Sequence, residues 1–164
     1  VARPDARRRT RRVARRRAAV LMEPWELAAR ECIRDLVARY NSNGDSGRFE
    51  HLLELFAPDA TMDVGDGRAY RGRDEIATIF TGTGDRWRAA AQARGVPPYV
   101  RHFTATHQID LLDRERAKGR SYFQVLMPHG LDHWGRYLDE YALIGDRWLF
   151  AHRRVAVDGR TAAV

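Results

Sequence analysis

Apolar positions along the first third of the chain recur every three or four residues. Trp25, Ala28, Ala29, Cys32, Ile33, Leu36, Val37 and Tyr40 fall on one stripe, which predicts an amphipathic helix. Pro24 at its first position, with Glu23 and Glu26 in the first turn, suits its start. The run Asn41-Ser42-Asn43-Gly44-Asp45-Ser46-Gly47 predicts its stop and a turn. Phe49, Leu52, Leu53 and Phe56 then predict a second, short helix ended by Pro58. Thr61–Val64 reads as a strand, and the glycine-rich stretch up to Gly72 as a turn with room for a short strand. A third helix is expected through Ile76, Ile79 and Phe80, stopped by the Gly82–Gly84 run. Residues 85–99 read as a loop or irregular helix, with Trp87 as a candidate anchor and Pro97-Pro98 closing it. Beyond that point the period shortens to two. Val100–Leu112, Ala117–Met127, His133–Ile144 and Arg147–Val157 are rich in β-branched and aromatic residues, with turns at Asp113–Arg116 and Gly145-Asp146.

Helices early and strands late indicate an α+β domain, its helices packed on one face of a four-stranded antiparallel meander. The 164 residues are 44% hydrophobic and 31% charged, enough for one real core. No internal repeat and no boundary beyond residue 22 is visible. No run of 18 apolar residues occurs, so no transmembrane helix is expected and no membrane partner. Cys32 stands alone, which excludes an intrachain disulfide framework and fits a reducing, cytoplasmic setting.

The net charge of +7 changes the picture only locally. Residues 1–20 hold nine arginines against Asp5, a net of +8; the other 144 residues carry 20 basic and 21 acidic side chains, a net of −1. Such a segment buries too little to fold alone, so residues 1–21 are expected to be a disordered arginine-rich tail. One reading makes Met22 the true start and the tail misassigned upstream sequence. Others are an electrostatic arm or a targeting signal, but the arginines lack interleaved aromatics to stack bases, and Glu23-Pro24 cuts short any apolar signal core. Nucleic acid is therefore not the expected partner. Residues 22–158 form the expected domain and 159–164 a C-terminal tail.

The candidate chemistry lies in that body, which contains all six histidines. Strict alternation in 101–111 would put His102, Thr104, Thr106 and Gln108 on one strand face and Phe103, Ala105, His107 and Ile109 on the other. A polar face on a central strand makes sense if it lines a cavity. His102 is then a candidate general acid or base, since an ordinary imidazole exchanges its proton near neutral pH; the alternative is a half-buried structural histidine. Asp45 is either an N-cap of the second helix, with Ser46 an equal candidate, or a carboxylate that orients His102. Tyr40 is either core packing or a hydrogen-bond donor to a pocket. His129 and His133 are four apart, a spacing compatible with two metal ligands, but no metal is expected. Tyr137, Tyr141 and Trp134 read most simply as sheet packing. Phosphate-cradling glycine motifs, nucleophile elbows and paired-cysteine zinc patterns are missing, which argues against kinases, nucleotide-loop enzymes and α/β serine hydrolases.

Ile33–Tyr40 followed by Leu55–Thr61, the entry Gly72-Arg73-Asp74-Glu75-Ile76, Arg101-His102-Phe103 and the closing Asp146–Arg154 together resemble the nuclear transport factor 2-like superfamily and its SnoaL-like branch. The resemblance spans about residues 25–158. It implies a cystatin-like α+β barrel, a cone of curved mixed or antiparallel sheet wrapped around about three helices, with a pocket inside. Within the branch the chain is most similar to scytalone dehydratase and bile-acid dehydratase-type enzymes. On that similarity Asp45, His102 and His129 match catalytic positions, and Tyr40 resembles the oxyanion-binding tyrosine of ketosteroid isomerases. The match has gaps. Gly44 stands where the dehydratase has tyrosine, its serine and asparagine pocket residues have no counterpart near Trp134–Tyr141, and the isomerase base would fall on Val64. Scytalone itself is thus not the expected substrate. The resulting expectation is a cofactor-independent lyase or isomerase acting on a polycyclic, polyketide- or steroid-like small molecule. Asp45, His102, His129 and Tyr40 would be catalytic, and Thr106, Trp134, Tyr137, Phe56 and Met127 would contact substrate. A homodimer or homotrimer is expected. The alternative is a non-catalytic ligand-binding or dimerisation module of the same fold.

Overall fold

In the computed structural model the described residues are 21–161, apart from residue 94 and residues 96–98 and the side chains of Trp87 and Ala90. The arginine-rich run, the Trp87 anchor and the Pro97-Pro98 closure lie outside them. Six strands make one curved, unclosed sheet in the order β2-β1-β6-β5-β4-β3. Here β1 is Phe56–Asp63, β2 Ala69–Arg71, β3 Arg101–Leu111, β4 Arg116–Met127, β5 Gly130–Ile144 and β6 Arg147–Arg160. The expected meander is β3 to β6, each strand antiparallel to the next. The sheet is mixed because β1 runs parallel to β6.

Among the described residues four helices accompany it: α1 Pro24–Asp45, α2 Phe49–Leu53, α3 Gly72–Phe80 and α4 Thr83–Ala93. At the start of α1 the Glu23 side chain accepts from the third-residue backbone, while Glu23 N–H donates to Glu26 (2.7 Å), a reciprocal cap. Ala29, Ile33, Leu36, Val37 and Tyr40 are its buried stripe. Its far end departs from expectation. The helix continues five residues past Tyr40, through the presumed stop, because Asn41 is buried and Asp45 is engaged by β3. Tertiary contacts thus override a locally unfavourable run. The second helix is shorter than expected: Phe56-Ala57-Pro58 already belongs to β1, where Phe56 pairs with Phe150. Pro58 is tolerated there because the ladder is irregular between Phe56 and Thr61. Of residues 85–99, expected to be loop or irregular helix, 85–93 belong to the regular helix α4, which begins at Thr83 inside the expected glycine stop.

The main core joins Ile33, Tyr40, Phe56, Met62, Ile76 and Phe150, with a second cluster of Val100, Phe123, Val125 and Tyr137. The face of β3 does not follow strict alternation. Ala105 pairs with Tyr122 but Gln108 with Arg120, so one extra residue bulges out. Thr106 takes φ 54°, an unusual conformation for a β-branched residue, and is exposed. The bulge flips the phase. His102 and Thr104 face the helices before it, and His107 and Ile109 after it, while Gln108 meets Arg120 outside. Thr106 is therefore not a pocket residue on the His102 face.

Candidate active site

Two residues on α1 and two on β3 set the geometry of the site. From Asn41 to Asp45 a helix rises about 6 Å, and from Thr104 to His102 a strand advances about 6.6 Å. The two elements therefore match as rungs. Asn41 Nδ2 donates to Thr104 Oγ1 (2.9 Å), and Asp45 meets His102 one rung along. His102 Nδ1 lies 2.6 Å from Asp45 Oδ1, and the His102 backbone N–H donates to Asp45 Oδ2 (3.0 Å). An ionised carboxylate only accepts, so Nδ1 is the donor, and in the neutral ring the lone pair is on Nε2. Asp45 sits in the last turn of α1, with no basic residue there. A carboxylate at this negative end of the helix costs about 0.3–1 kcal/mol, which the two bonds from His102 offset. It caps no helix; the residue before α2 is Arg48. The Asp45 side chain is 9% exposed and that of His102 21%. Both line a cleft of ≈ 470 Å³ with Asn41, Thr104, Ser46 and Arg101. Among the described residues His102 Nε2 makes no hydrogen bond.

A model of the SnoaL-like domain matches residues 25–154. The chain belongs to the SnoaL-like family. Its fold is shared by a putative scytalone dehydratase from Novosphingobium aromaticivorans (TM-score 0.74, 20% identity, 85% of this chain and 91% of that one). It is likewise similar to hexachlorocyclohexane dehydrochlorinase LinA-type3 from Novosphingobium barchaimii (0.68, 17%, 84% and 91%). A nuclear transport factor 2-like protein with a cystatin-like fold, also from N. aromaticivorans, covers more of the chain (0.68, 24%, 96% and 93%). No curated protein sequence matches the chain.

The other expected site residues of this SnoaL-like domain are scattered. His129 lies in the turn after β4 and contacts Asp132 (3.1 Å). Tyr40 is buried, edge-on to Phe56, Phe150 and Tyr137. Burial raises its hydroxyl pKa, against the opposing pull of Arg153. Phe56 is fully buried core, and Met127 packs on the second cluster. Tyr137 stacks on Phe123 and donates its hydroxyl to Asn41 Oδ1 (3.3 Å), so it backs the Asn41 rung from inside. Trp134 is on the outer face, its ring over Gly159, where an added Cβ would come within 2.4 Å of it. Trp134 is thus on the sheet face opposite His102 and Asp45. The His129/His133 pair does not make a metal site with His102: Asp132 takes one imidazole on each oxygen. Among the described residues no three His, Cys, Asp or Glu groups are placed to share an ion.

Behind the cleft lies a polar network that the sequence expectations do not include. Asp139 and Arg153, cross-strand partners on β5 and β6, are fully buried and joined by two 2.8 Å bonds. The guanidinium lies 4.1 Å from the ring centres of Tyr40, Tyr137 and Phe150. Burial works against its charge, but Asp139 more than restores it and the net pKa is raised. Tyr141 donates to Asp139 (2.9 Å) and meets His107 Nε2 (3.2 Å). Burial, then the Asp139 charge, push the Tyr141 hydroxyl pKa up, whereas burial lowers that of His107.

Proposed function

We propose that this SnoaL-like domain is a cofactor-independent lyase or isomerase of the dehydratase kind, with His102 as its general base. Nε2 would take a proton from carbon next to a carbonyl, and Asp45 would hold the ring and balance the imidazolium that forms. The observation that carries the reading is the 2.6 Å contact between His102 Nδ1 and Asp45 Oδ1, made by a carboxylate whose other oxygen is tied to the same residue. This double hold fixes both ring orientation and tautomer, which a surface cap would not need. The putative dehydratase and the dehydrochlorinase of similar fold are both named for eliminations, reactions that remove a proton and a leaving group. A polycyclic, polyketide- or steroid-like ketone is the substrate class we assign. The rival reading, a non-catalytic binding module, has Asp45 capping a helix toward solvent.

The test is a screen of bicyclic ketones and hydroxy ketones, with products identified by mass and α-proton exchange followed in D2O. His102→Ala and Asp45→Asn should each lower turnover by about 10²–10⁴-fold while circular dichroism and Tm show an intact fold. Full activity in either variant removes the pair from the mechanism.

A further inference from the structure

The cleft of Asp45 and His102 continues past those two residues. Asp45, Ser46 and Arg101 also line a second chamber of ≈ 200 Å³, with Gly84 and Arg88 on its wall. Asp45 ends α1, Arg101 opens β3, and Gly84 and Arg88 belong to α4, so three elements meet around it. The charges lining the chamber do not cancel. Asp45 brings the one carboxylate, and both of its oxygens are taken by His102. Arg88 and Arg101 face it, which leaves an excess of one positive charge.

Arg101 is held as well as charged. Its Nη1 donates to the carbonyl of the buried Val100 (2.6 Å), and the guanidinium lies 5.0 Å from the ring centre of Tyr99. Among the described residues no carboxylate pairs with Arg101, and its Nε and Nη2 make no hydrogen bond. Those two nitrogens form one edge of the guanidinium fork, the edge that takes a carboxylate through two parallel bonds. Arg88 is the weaker donor, because its Nη2 already meets the exposed Asp85 (2.6 Å). Past Arg88 the next recess, ≈ 380 Å³, is lined by Glu50 and Asp85. The field along the cavities thus draws an anion to the arginines and no further.

We infer that Arg101, with Arg88, is a carboxylate-binding site beside His102, so that the substrate is a ketone carrying an acid group. The inference deepens the reading of His102 as base and rests on it. Arg101 and His102 are consecutive in the chain, so an acid group at one and a reacting carbon at the other belong to a single small molecule. A single positive excess suits a carboxylate monoanion better than a phosphate dianion, which would meet the Asp45 charge as well. The anchor acts before and during the reaction alike. It therefore sets which ketone is bound, and the proton transfer itself stays with His102.

Two probes test it: 1-tetralone-4-carboxylate and its carboxamide, alike in shape and different in charge. Calorimetric titration reads binding, and exchange of the α-protons in D2O reads the base. The wild-type protein should bind the carboxylate about 10-fold tighter than the carboxamide, less so as salt is raised, because solvent still reaches both arginines. Arg101→Gln should abolish that preference and leave carboxamide binding within a few-fold. Arg88→Gln should reduce it, and Arg101→Lys should keep part of it. Both arginines are exposed, so circular dichroism and Tm should stay as in the wild type. In exchange, Arg101→Gln should raise KM for the carboxylate and hold kcat within a few-fold. Equal affinity for the two probes, a preference that survives Arg101→Gln, or no binding of either overturns the site. Inorganic phosphate that displaces the probe better than acetate overturns the choice of a carboxylate. Arg101-dependent binding without α-proton exchange supports the acid site and removes His102 as base.

Discussion

Arg153→Met tests the buried pair most directly. Both side chains of the Asp139–Arg153 pair are 0% exposed, and the arginine makes two 2.8 Å bonds to the carboxylate. Methionine fills much of the same space but leaves Asp139 in the core with only the Tyr141 hydroxyl as partner. Losing one member of such a pair costs about 3–5 kcal/mol, because the survivor stays desolvated and uncompensated. For a domain of this size that is roughly 6–20 °C in Tm. Asp139→Val strands the guanidinium instead and should cost a similar amount. The double variant removes both charges, keeps apolar volume in a strand that favours it, and should be more stable than either single one. Urea denaturation of the four proteins, read as a double-mutant cycle, measures this. Arg153→Lys should fall between, since an ammonium keeps the charge but not the planar two-pronged contact or the faces presented to Tyr40, Tyr137 and Phe150. An Arg153→Met loss below about 1 kcal/mol, or a double variant as unstable as the sum of the singles, would refute the reasoning.

Gly119→Ala should lose about 1–3 kcal/mol, visible as a lower Tm, because a Cβ there would stand 2.8 Å from the Tyr141 ring and hydroxyl. Asn41→Leu should cost about 1–3 kcal/mol by stranding the buried Tyr137 hydroxyl, and Tyr137→Phe in the same chain should recover most of it in urea titrations. His107 binds its proton less readily folded than unfolded, so its share of stability is present above the ordinary imidazole value of 6.5 and is lost as pH falls through the lower folded value. His107→Gln should flatten that limb of the stability–pH curve.

The meander was legible because four long segments are rich in β-branched and aromatic residues and are parted by short turns. The helix stripe through Tyr40 was equally plain. What escaped depended on partners distant in sequence. Nothing local says that Asn41–Asp45 stays helical; that depends on Thr104 and His102, about sixty residues on. The Thr106 bulge carries no glycine to announce it, so strict alternation runs one residue too far and puts His107 on the wrong face. Asp45 and His102 are expected as a pair from the polar strand face that alternation gives and from a family resemblance. One readable signal was passed over: Tyr137, Asp139 and Tyr141 share the inward phase of β5, and a carboxylate in such a row demands a buried cation. Arg153, inward on the neighbouring strand, meets that demand.

The central place of β6 has a bearing on how the molecule assembles. Strands β3 to β6 and their turns can form by stepwise hairpin closure between near neighbours. The β1–β2 pair, by contrast, reaches the rest of the sheet only through β6, across some ninety residues of chain. Contacts that span so much chain carry a large loop entropy and reward the chain late. The meander should therefore form first, and the docking of β1 should limit the rate of folding. On that order, destabilising changes within the meander, the outer edge of β3 included, would slow folding, whereas changes along the Met62–Arg153 register, which the later β1 forms, would act more on unfolding.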